Sequence, residues 1–316
     1  MSTQPASHKQ LSLGTAAARN LATATVTVPQ KGRITPRWLL RLLPYINVNG
    51  GVYRVNQVAR EASGQETGVD LLTVDSGEVK LPNTFVDYEV DPREYHLTTI
   101  QTVLNTRTRV TDLYSNQIDQ LREQIRLTIE GVREREEWEL INNPDFGLLK
   151  ESAPQAIKTR SGPPTPDDLD ELLALVWKKP AFFLAHPRAI AAFGRECTRR
   201  GVPPPTVHLF GSPFLTWRGV PLIPSEKFEI QGSGKNASTS ILVLRVGEAD
   251  QGVVGLHKVG VTGEVEPGLS VRYMGTSELS IASHLVTRYF STAVLTPDAI
   301  GRLDQVNVGH YHEYKA

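Results

Sequence analysis

The feature that most constrains the fold is a long, charged amphipathic helix from Ser115 to about Asn142. Its apolar residues recur at steps of three and four and form one stripe: Ile118, Leu121, Ile125, Ile129, Val132 and Leu140. At the usual rise per residue it would be roughly 40 Å long, which is more than a small domain needs. An amphipathic helix lying on a sheet and the spine of an elongated subunit both fit this pattern. The sequence Asn142-Asn143-Pro144 then ends the helix, before a short apolar turn at 146–149.

The composition excludes several classes of protein. The chain has 316 residues and balances 34 Lys and Arg against 34 Asp and Glu, so no basic field indicates nucleic acid. Cys197 is the single cysteine, which excludes an internal disulfide and fits a reducing cytosol. The N-terminus lacks the apolar core of a signal peptide, and no window reaches the ~18 apolar residues of a membrane helix. We therefore expect a soluble cytoplasmic protein with no membrane partner.

Two segments before the long helix are not expected to be buried by their own chain. Residues 1–34 read as an extended arm, followed by a short apolar helix with Thr35 as N-cap, Pro36 at its first position and Pro44 at its end. From Val48 onward the chain is strand-like, and "GGVYRVNQV" and "NTFVDYEVD" predict a two-stranded arm. Because an isolated hairpin is marginally stable in water, another sheet or another subunit should cover it.

The second half alternates helices and strands. Thr165, with Pro166 and Asp168 after it, predicts a capped helix start. "AFFLA" predicts a buried strand and is followed by a helix from Pro187 to Gly201, and "TSILVLRVG" predicts another buried strand. The residues alone therefore predict an α+β protein that assembles and shows no catalytic motif.

Few residues could take part in catalysis or metal binding, and each of them could instead have a purely structural role. Cys197 with His186 or His208 could form a thiol nucleophile and base, but Cys197 falls inside a helical pattern, which favours a packed, inert cysteine. His310 and His312, with Glu313, could bind a divalent metal.

A basic group and a glycine-containing loop complete the candidates. Arg195, Arg199 and Arg200 could face a pore or an anion, although arginines at the C-terminal end of a helix also favour its dipole. The loop "GSGKNAS" at 232–238 lacks the spacing of a phosphate-binding loop and is interpreted as a hairpin tip.

Long stretches of the chain resemble the shell proteins called encapsulins. They include "ITPRWLLRLLPY", "LPNTFVDYEVDPREYHLTTIQTVLNTRTRVTDLY" and "PTPDDLDELLALVWKKPAFFLAHPRAIAAFGRECTRRGVPPPTV". The likeness spans about residues 15–300 and is to the family-two subgroup that has no cyclic-nucleotide-binding domain.

The resemblance implies the tailed-phage major capsid fold, called Hong Kong 97-like, an α+β architecture. Its implied parts are an N-terminal arm (1–47), an extended β-arm (48–98), a peripheral domain with the spine helix (99–160 and 262–295), and an axial domain with the tail (161–261 and 296–316). We expect six residues to make contacts between subunits, with burial in the subunit's own core as the alternative: Trp38, Leu39, Leu42, Tyr53, Phe85 and Tyr88.

The implied function is a non-catalytic shell of about sixty copies, the smallest icosahedral arrangement, in the bacterial cytoplasm. For this subgroup the expected cargo is a cysteine desulfurase, which would bring pyridoxal phosphate and dock through a disordered segment on the inner surface. The shell would hold no cofactor or nucleic acid and would serve sulfur metabolism or storage. Two alternatives remain: a prophage-type capsid protein that packages DNA, since a fold does not fix a function, and a soluble enzyme using Cys197 or the terminal histidines.

Overall fold

The computed structural model describes residues 16–17, 34–59, 68–69, 71–72, 80, 82–106, 120–278 and 281–312. Within these residues the helices are α1 (Trp38–Leu42), α2 (Gln120–Asn142), α3 (Leu148–Glu151), α4 (Pro166–Leu175) and α5 (Pro187–Arg199). The strands are β1 (Tyr45–Asn47), β2 (Val52–Val55), β3 (Arg93–His96), β4 (Thr98–Thr106), β5 (Ala156–Lys158), β6 (Phe182–Ala185), β7 (Thr206–Leu209), β8 (Ser212–Trp217), β9 (Val220–Pro224), β10 (Ser238–Leu244), β11 (Val253–His257), β12 (Glu264–Glu266), β13 (Leu269–Thr276), β14 (Ala282–Val294) and β15 (Ile300–Asn307).

A six-stranded sheet is organised around the long strand β14. Its order is β1-β11-β14-β13-β12, and β4 also pairs with β14 in antiparallel register, from Thr106 opposite Ala282 to Thr98 opposite Phe290. The long helix α2 lies against this sheet, because Val132 packs with Leu269 and Val286 in a buried apolar cluster. The amphipathic pattern of the helix therefore reflects packing on a sheet.

A seven-stranded mixed sheet forms the second half of the molecule, in the order β5-β15-β10-β6-β9-β8-β7. Strand β6 is buried along its whole length between β10 and β9. Helices α4 and α5 cover it through a core that includes Leu172 and Phe193. The helix start predicted at Thr165 is confirmed, since the Thr165 hydroxyl and the Asp168 carboxylate form a reciprocal capping box.

The end of α2 is a compact backbone turn. The Asn143 side chain accepts hydrogen bonds from the backbone N–H groups of Asp145 (2.8 Å) and Phe146 (3.4 Å), and the Gly147 N–H donates to the Asn143 carbonyl (2.9 Å). The Phe146 ring then packs edge-on against Phe290 of β14, with 5.9 Å between centroids. The apolar turn thus fixes the end of the long helix to the sheet on which the helix lies.

The structure corrects the expected start of the first helix. Helix α1 begins at Trp38 rather than Pro36, and Thr35 does not cap it, because Thr35 binds a carboxylate of α2. Strand β5 belongs to the seven-stranded sheet, and β11 belongs to the six-stranded sheet. The expected domain boundaries at 160 and 261 stay a prediction. Of the long helix, residues 115–119 lie outside the described residues.

Candidate assembly surface

Carboxylates on α2 hold the segment that follows the N-terminal arm. Glu134 accepts hydrogen bonds from the backbone N–H of Thr35 (2.7 Å) and from its hydroxyl (3.0 Å). The Arg37 guanidinium forms ion pairs with Glu130 (2.5 Å) and Glu134 (3.2 Å). Lys227 also pairs with Glu134, at 2.5 Å. These contacts are mostly shielded from water, so they fix the place at which the arm joins the subunit.

One turn further along α2, Glu137 binds the start of α1. Its carboxylate accepts a hydrogen bond from the backbone N–H of Leu39 at 3.1 Å and is 1% exposed. Such a contact satisfies a backbone donor that the first turn of a helix leaves without an intrahelical partner. Burial raises the pKa of Glu137 to about 7, against the opposing effect of this hydrogen bond.

A third carboxylate joins the same segment to the six-stranded sheet. Glu136 accepts hydrogen bonds from the Tyr45 hydroxyl (3.2 Å) and from the Arg288 guanidinium of β14 (2.7 Å). The Tyr45 ring stacks on His257, with 5.3 Å between centroids. Strand β1, the long helix and the sheet thus share one buried polar network.

The apolar residues of α1 are placed inside the subunit. Leu39 is fully buried and Trp38 is 7% exposed, with its ring edge-on to Phe214 at 5.2 Å; Leu42 is half-buried against the same core. Trp38 and Leu39 thus pack in the core of their own chain, as in the alternative interpretation. The expectation that Trp38, Leu39 and Leu42 make contacts between subunits stays a prediction. The amphipathic pattern of a short helix does not tell which chain covers its apolar face.

The root of the β-arm is fixed to the six-stranded sheet. Strands β2 and β3 pair antiparallel, with Tyr53 opposite Tyr95. The buried Tyr95 hydroxyl donates to the Val294 carbonyl at 2.6 Å, and the half-buried Tyr53 donates to Glu248 at 2.9 Å. The pairing strand is Arg93–His96 rather than the predicted "NTFVDYEVD", which contributes a single bridge from Tyr88 to Val58.

Beyond its root the arm exposes apolar side chains. Phe85 is 77% exposed and Tyr88 is 62% exposed. Other exposed apolar residues of the described arm are Val69, Leu71, Leu72, Val86 and Val90. We call Phe85, Val86, Tyr88 and Val90 the apolar face of the arm. Exposed apolar side chains clustered in one segment mark an interaction site rather than a free surface. The expectation that Phe85 and Tyr88 contact another subunit stays a prediction.

The arginines at the C-terminal end of α5 make contacts within their own chain. Arg199 and Arg200 both bind Glu196, which is 1% exposed, and Arg200 also pairs with Asp167 at 2.9 Å. Arg195 donates to the Val308 carbonyl at 3.2 Å and lies over the Tyr311 ring. Within one chain these arginines thus contact acids and the C-terminal tail. The expectation that they face a pore or an anion stays a prediction. The acid that organises them, Glu196, was missing from the sequence interpretation.

The cysteine does not have the environment of a nucleophile. Cys197 is buried, and burial, with the nearby Glu196 carboxylate, raises the pKa of its thiol to about 11. His186 caps α5, where its Nδ1 accepts a hydrogen bond from the Arg188 N–H at 3.0 Å. His208 is exposed on β7. The packed, inert interpretation of Cys197 is the one its environment supports.

The terminal histidines lie against each other and against α5. Their rings, from His310 and His312, are 4.7 Å apart, and the His312 Nε2 lies 3.1 Å from Glu196. Glu313 lies outside the described residues. Over the part of the chain that the structure describes, no three His, Cys, Asp or Glu side chains form a metal-binding group. In that same part, no helix is long and apolar enough to cross a bilayer.

The sequence profile described as "Type 2A encapsulin shell protein SrpI-like" matches residues 54–310. The match covers most of the chain, including the long helix and the whole seven-stranded sheet. The chain belongs to the type 2A encapsulin shell proteins. It is thus a structural shell protein rather than an enzyme, as expected from the resemblance.

Curated relatives of this encapsulin extend over nearly the whole chain. It is 58% identical to the type 2A encapsulin shell protein SrpI of Synechococcus elongatus over 307 residues, which are 97% of each chain. It is 54% identical to the type 2A encapsulin shell protein of Mycobacterium leprae, over 98% of this chain and 99% of that protein.

Solved structures confirm the capsid fold. The subunit in the holo-SrpI encapsulin complex of Synechococcus elongatus matches with a TM-score of 0.81 and 56% identity, covering 96% of this chain and 99% of that one. A chain from the capsid of the empty GTA particle matches with a TM-score of 0.57 at 13% identity, covering 92% of this chain and 97% of that one. A chain from Microbacterium phage Oxtober96 matches with a TM-score of 0.59 at 11% identity, covering 91% of this chain and 96% of that one. The encapsulin therefore has the Hong Kong 97-like fold of tailed-phage capsid proteins, as expected.

Proposed function

We propose that this encapsulin assembles into a closed cytoplasmic shell of about sixty copies that encloses a cysteine desulfurase in sulfur metabolism or storage. The observation that carries the proposal is the 56% identity, at a TM-score of 0.81, with the shell subunit of the holo-SrpI encapsulin complex. At this level of similarity the surfaces that form the shell and receive its contents are expected to be shared.

The β-arm is the proposed assembly element. Its root is fixed by Tyr95 and Tyr53, while Phe85 and Tyr88 beyond the root are exposed. In a closed symmetric shell the arm of every copy packs on an identical neighbour. The same contact therefore buries the arm of each subunit. Burial of each large apolar side chain contributes about 1.5–3 kcal/mol, repeated in every copy.

The chemistry belongs to the cargo in this proposal. A cysteine desulfurase would bring pyridoxal phosphate into the shell, while the shell subunit contributes enclosure and a docking surface. Docking by a disordered segment of the cargo on the inner surface would let a folded enzyme be captured without a rigid, matched interface.

Co-expression with a cysteine desulfurase from the same genome tests the proposal. Shells isolated by size-exclusion chromatography should contain the desulfurase and show the absorbance of its pyridoxal cofactor. A desulfurase without its disordered segment should remain outside, at the same shell yield. Shells that never retain the full-length desulfurase would overturn the cargo assignment. Nuclease-resistant DNA inside them would instead support the prophage-type alternative.

A further inference from the structure

A cavity of about 820 Å³ lies where the C-terminal tail crosses α5 and the 232–238 loop. Its charged and titratable lining consists of Arg188 at the start of α5, Lys235 of the loop, and His310 and His312 of the tail. Tyr311 also lines it. Over the described residues no carboxylate lines the cavity. The family assignment and the shell function leave this cavity without a role.

The walls of the cavity are held in place by hydrogen bonds to the backbone. The Val308 backbone N–H donates to the Ala237 carbonyl at 2.9 Å, and the Asn307 side-chain amide Nδ2 donates to the Lys235 backbone carbonyl at 2.8 Å. Gly309 follows, where an added Cβ would lie 1.9 Å from the Gly234 oxygen, so the tail approaches the loop as closely as only glycine allows. The loop and the tail therefore form one unit.

Contacts to α5 hold the histidine-bearing end of the tail. The Arg195 guanidinium lies 4.2 Å from the centre of the Tyr311 ring, and the His312 Nε2 lies 3.1 Å from Glu196. Arg188 and Lys235, by contrast, have no ion-pair partner among the described residues, although both line the cavity. Two permanent cations thus face a concave space that no acid from the described chain neutralises.

We propose that this cavity binds a tetrahedral oxyanion of the sulfate or phosphate class. Arg188 and Lys235 supply charge-assisted hydrogen bonds, which are the strongest that side chains make to such anions. The two imidazoles add donors when they are protonated. The inference concerns the shell subunit alone and does not depend on the identity of the cargo.

Calorimetric titration of assembled shells with sulfate at constant ionic strength tests the proposal, because sulfate is a fully ionised tetrahedral oxyanion near pH 6. We expect saturable binding of sulfate by wild-type shells at this pH. Arg188→Gln/Lys235→Gln should weaken binding by about tenfold or more near pH 6. The control Arg272→Gln/Lys258→Gln, which exchanges the same residue types outside the cavity, should bind as the wild type does.

Two results would overturn the site. One is the absence of saturable binding by wild-type shells near pH 6. The other is equal binding by wild type and Arg188→Gln/Lys235→Gln, which would locate the sulfate elsewhere. If the double variant does not elute as shells, Lys235→Gln alone serves, since Lys235 is exposed on the loop.

Discussion

The Glu137 carboxylate in the long helix accepts a hydrogen bond from the Leu39 N–H at 3.1 Å, although the two residues are 98 positions apart. This buried contact joins the first helix after the N-terminal arm to the helix that lies along the six-stranded sheet. Together with Glu134 and Glu136 it ties the arm's junction to the rigid part of the subunit.

Removal of this carboxylate should destabilise the subunit. Glu137→Ala leaves the buried Leu39 N–H without a partner, at a cost of about 1–3 kcal/mol in the free energy of unfolding. The expected result is a lower melting temperature of the shells in differential scanning calorimetry. Glu171→Ala, which removes a carboxylate from an exposed ion pair, is the control and should change little. Equal melting temperatures for Glu137→Ala and wild type would contradict the role of the contact.

The same residue should make stability depend on pH. Because the pKa of Glu137 is raised to about 7 in the folded state, its contribution is fully present below the unfolded pKa near 4.5 and is lost as pH rises through 7. Relative to Glu137→Gln, which does not titrate, wild-type stability should fall between about pH 5 and pH 8, by up to about 3 kcal/mol. The melting temperatures of both proteins across this range measure the effect. Parallel profiles would show that Glu137 titrates with an ordinary pKa.

Replacement by alanine should have opposite effects on stability at two glycines, one within the long helix and one just after it. At Gly147 an added Cβ would lie 2.4 Å from the Asn143 carbonyl oxygen, and the backbone of the turn would have to move. We expect Gly147→Ala to cost about 3 kcal/mol or more and to lower the yield of folded protein. At Gly131 nothing lies within 4 Å of the added Cβ, so alanine should stabilise the helix by about 0.5–1 kcal/mol. If thermal unfolding shows that both substitutions shift the melting temperature in the same direction relative to the wild type, this assignment is contradicted.

The apolar face of the β-arm should be needed for assembly and dispensable for the subunit fold. Phe85→Asp places a charge where we expect another subunit, so it should yield smaller species in size-exclusion chromatography with an unchanged circular dichroism spectrum. Phe85→Leu keeps an apolar side chain there and should still give closed shells. Normal shells from Phe85→Asp would exclude Phe85 from the contact.

Elements governed by local rules could be predicted from the sequence. The capping box at Thr165, the buried strand at 182–185 and the end of the long helix at Asn142 each depend on neighbouring residues, and the structure has all three. The predicted start of α1 was wrong, because the Thr35 side chain does not cap the helix and instead binds Glu134, which is 99 positions away in sequence. Local capping rules do not include such a distant partner.

The carboxylates that receive the N-terminal segment were also not predicted, although a signal for them exists. Glu130, Glu134 and Glu137 lie at steps of four and three on α2, so they share one face beside the apolar stripe. An acidic stripe on a helix usually faces solvent. In this protein the tertiary fold places Arg37 and the Leu39 N–H against the acidic stripe of α2, and the sequence of the helix does not show this. Likewise, composition cannot tell whether an apolar helix such as α1 is covered by its own chain or by a neighbour.

The most direct test of the assembly account is a cryo-electron microscopy reconstruction of shells formed by the wild-type protein alone. The account predicts a closed icosahedral particle in which Phe85 and Tyr88 are buried against a neighbouring subunit. A closed particle in which both side chains remain exposed to solvent would contradict it.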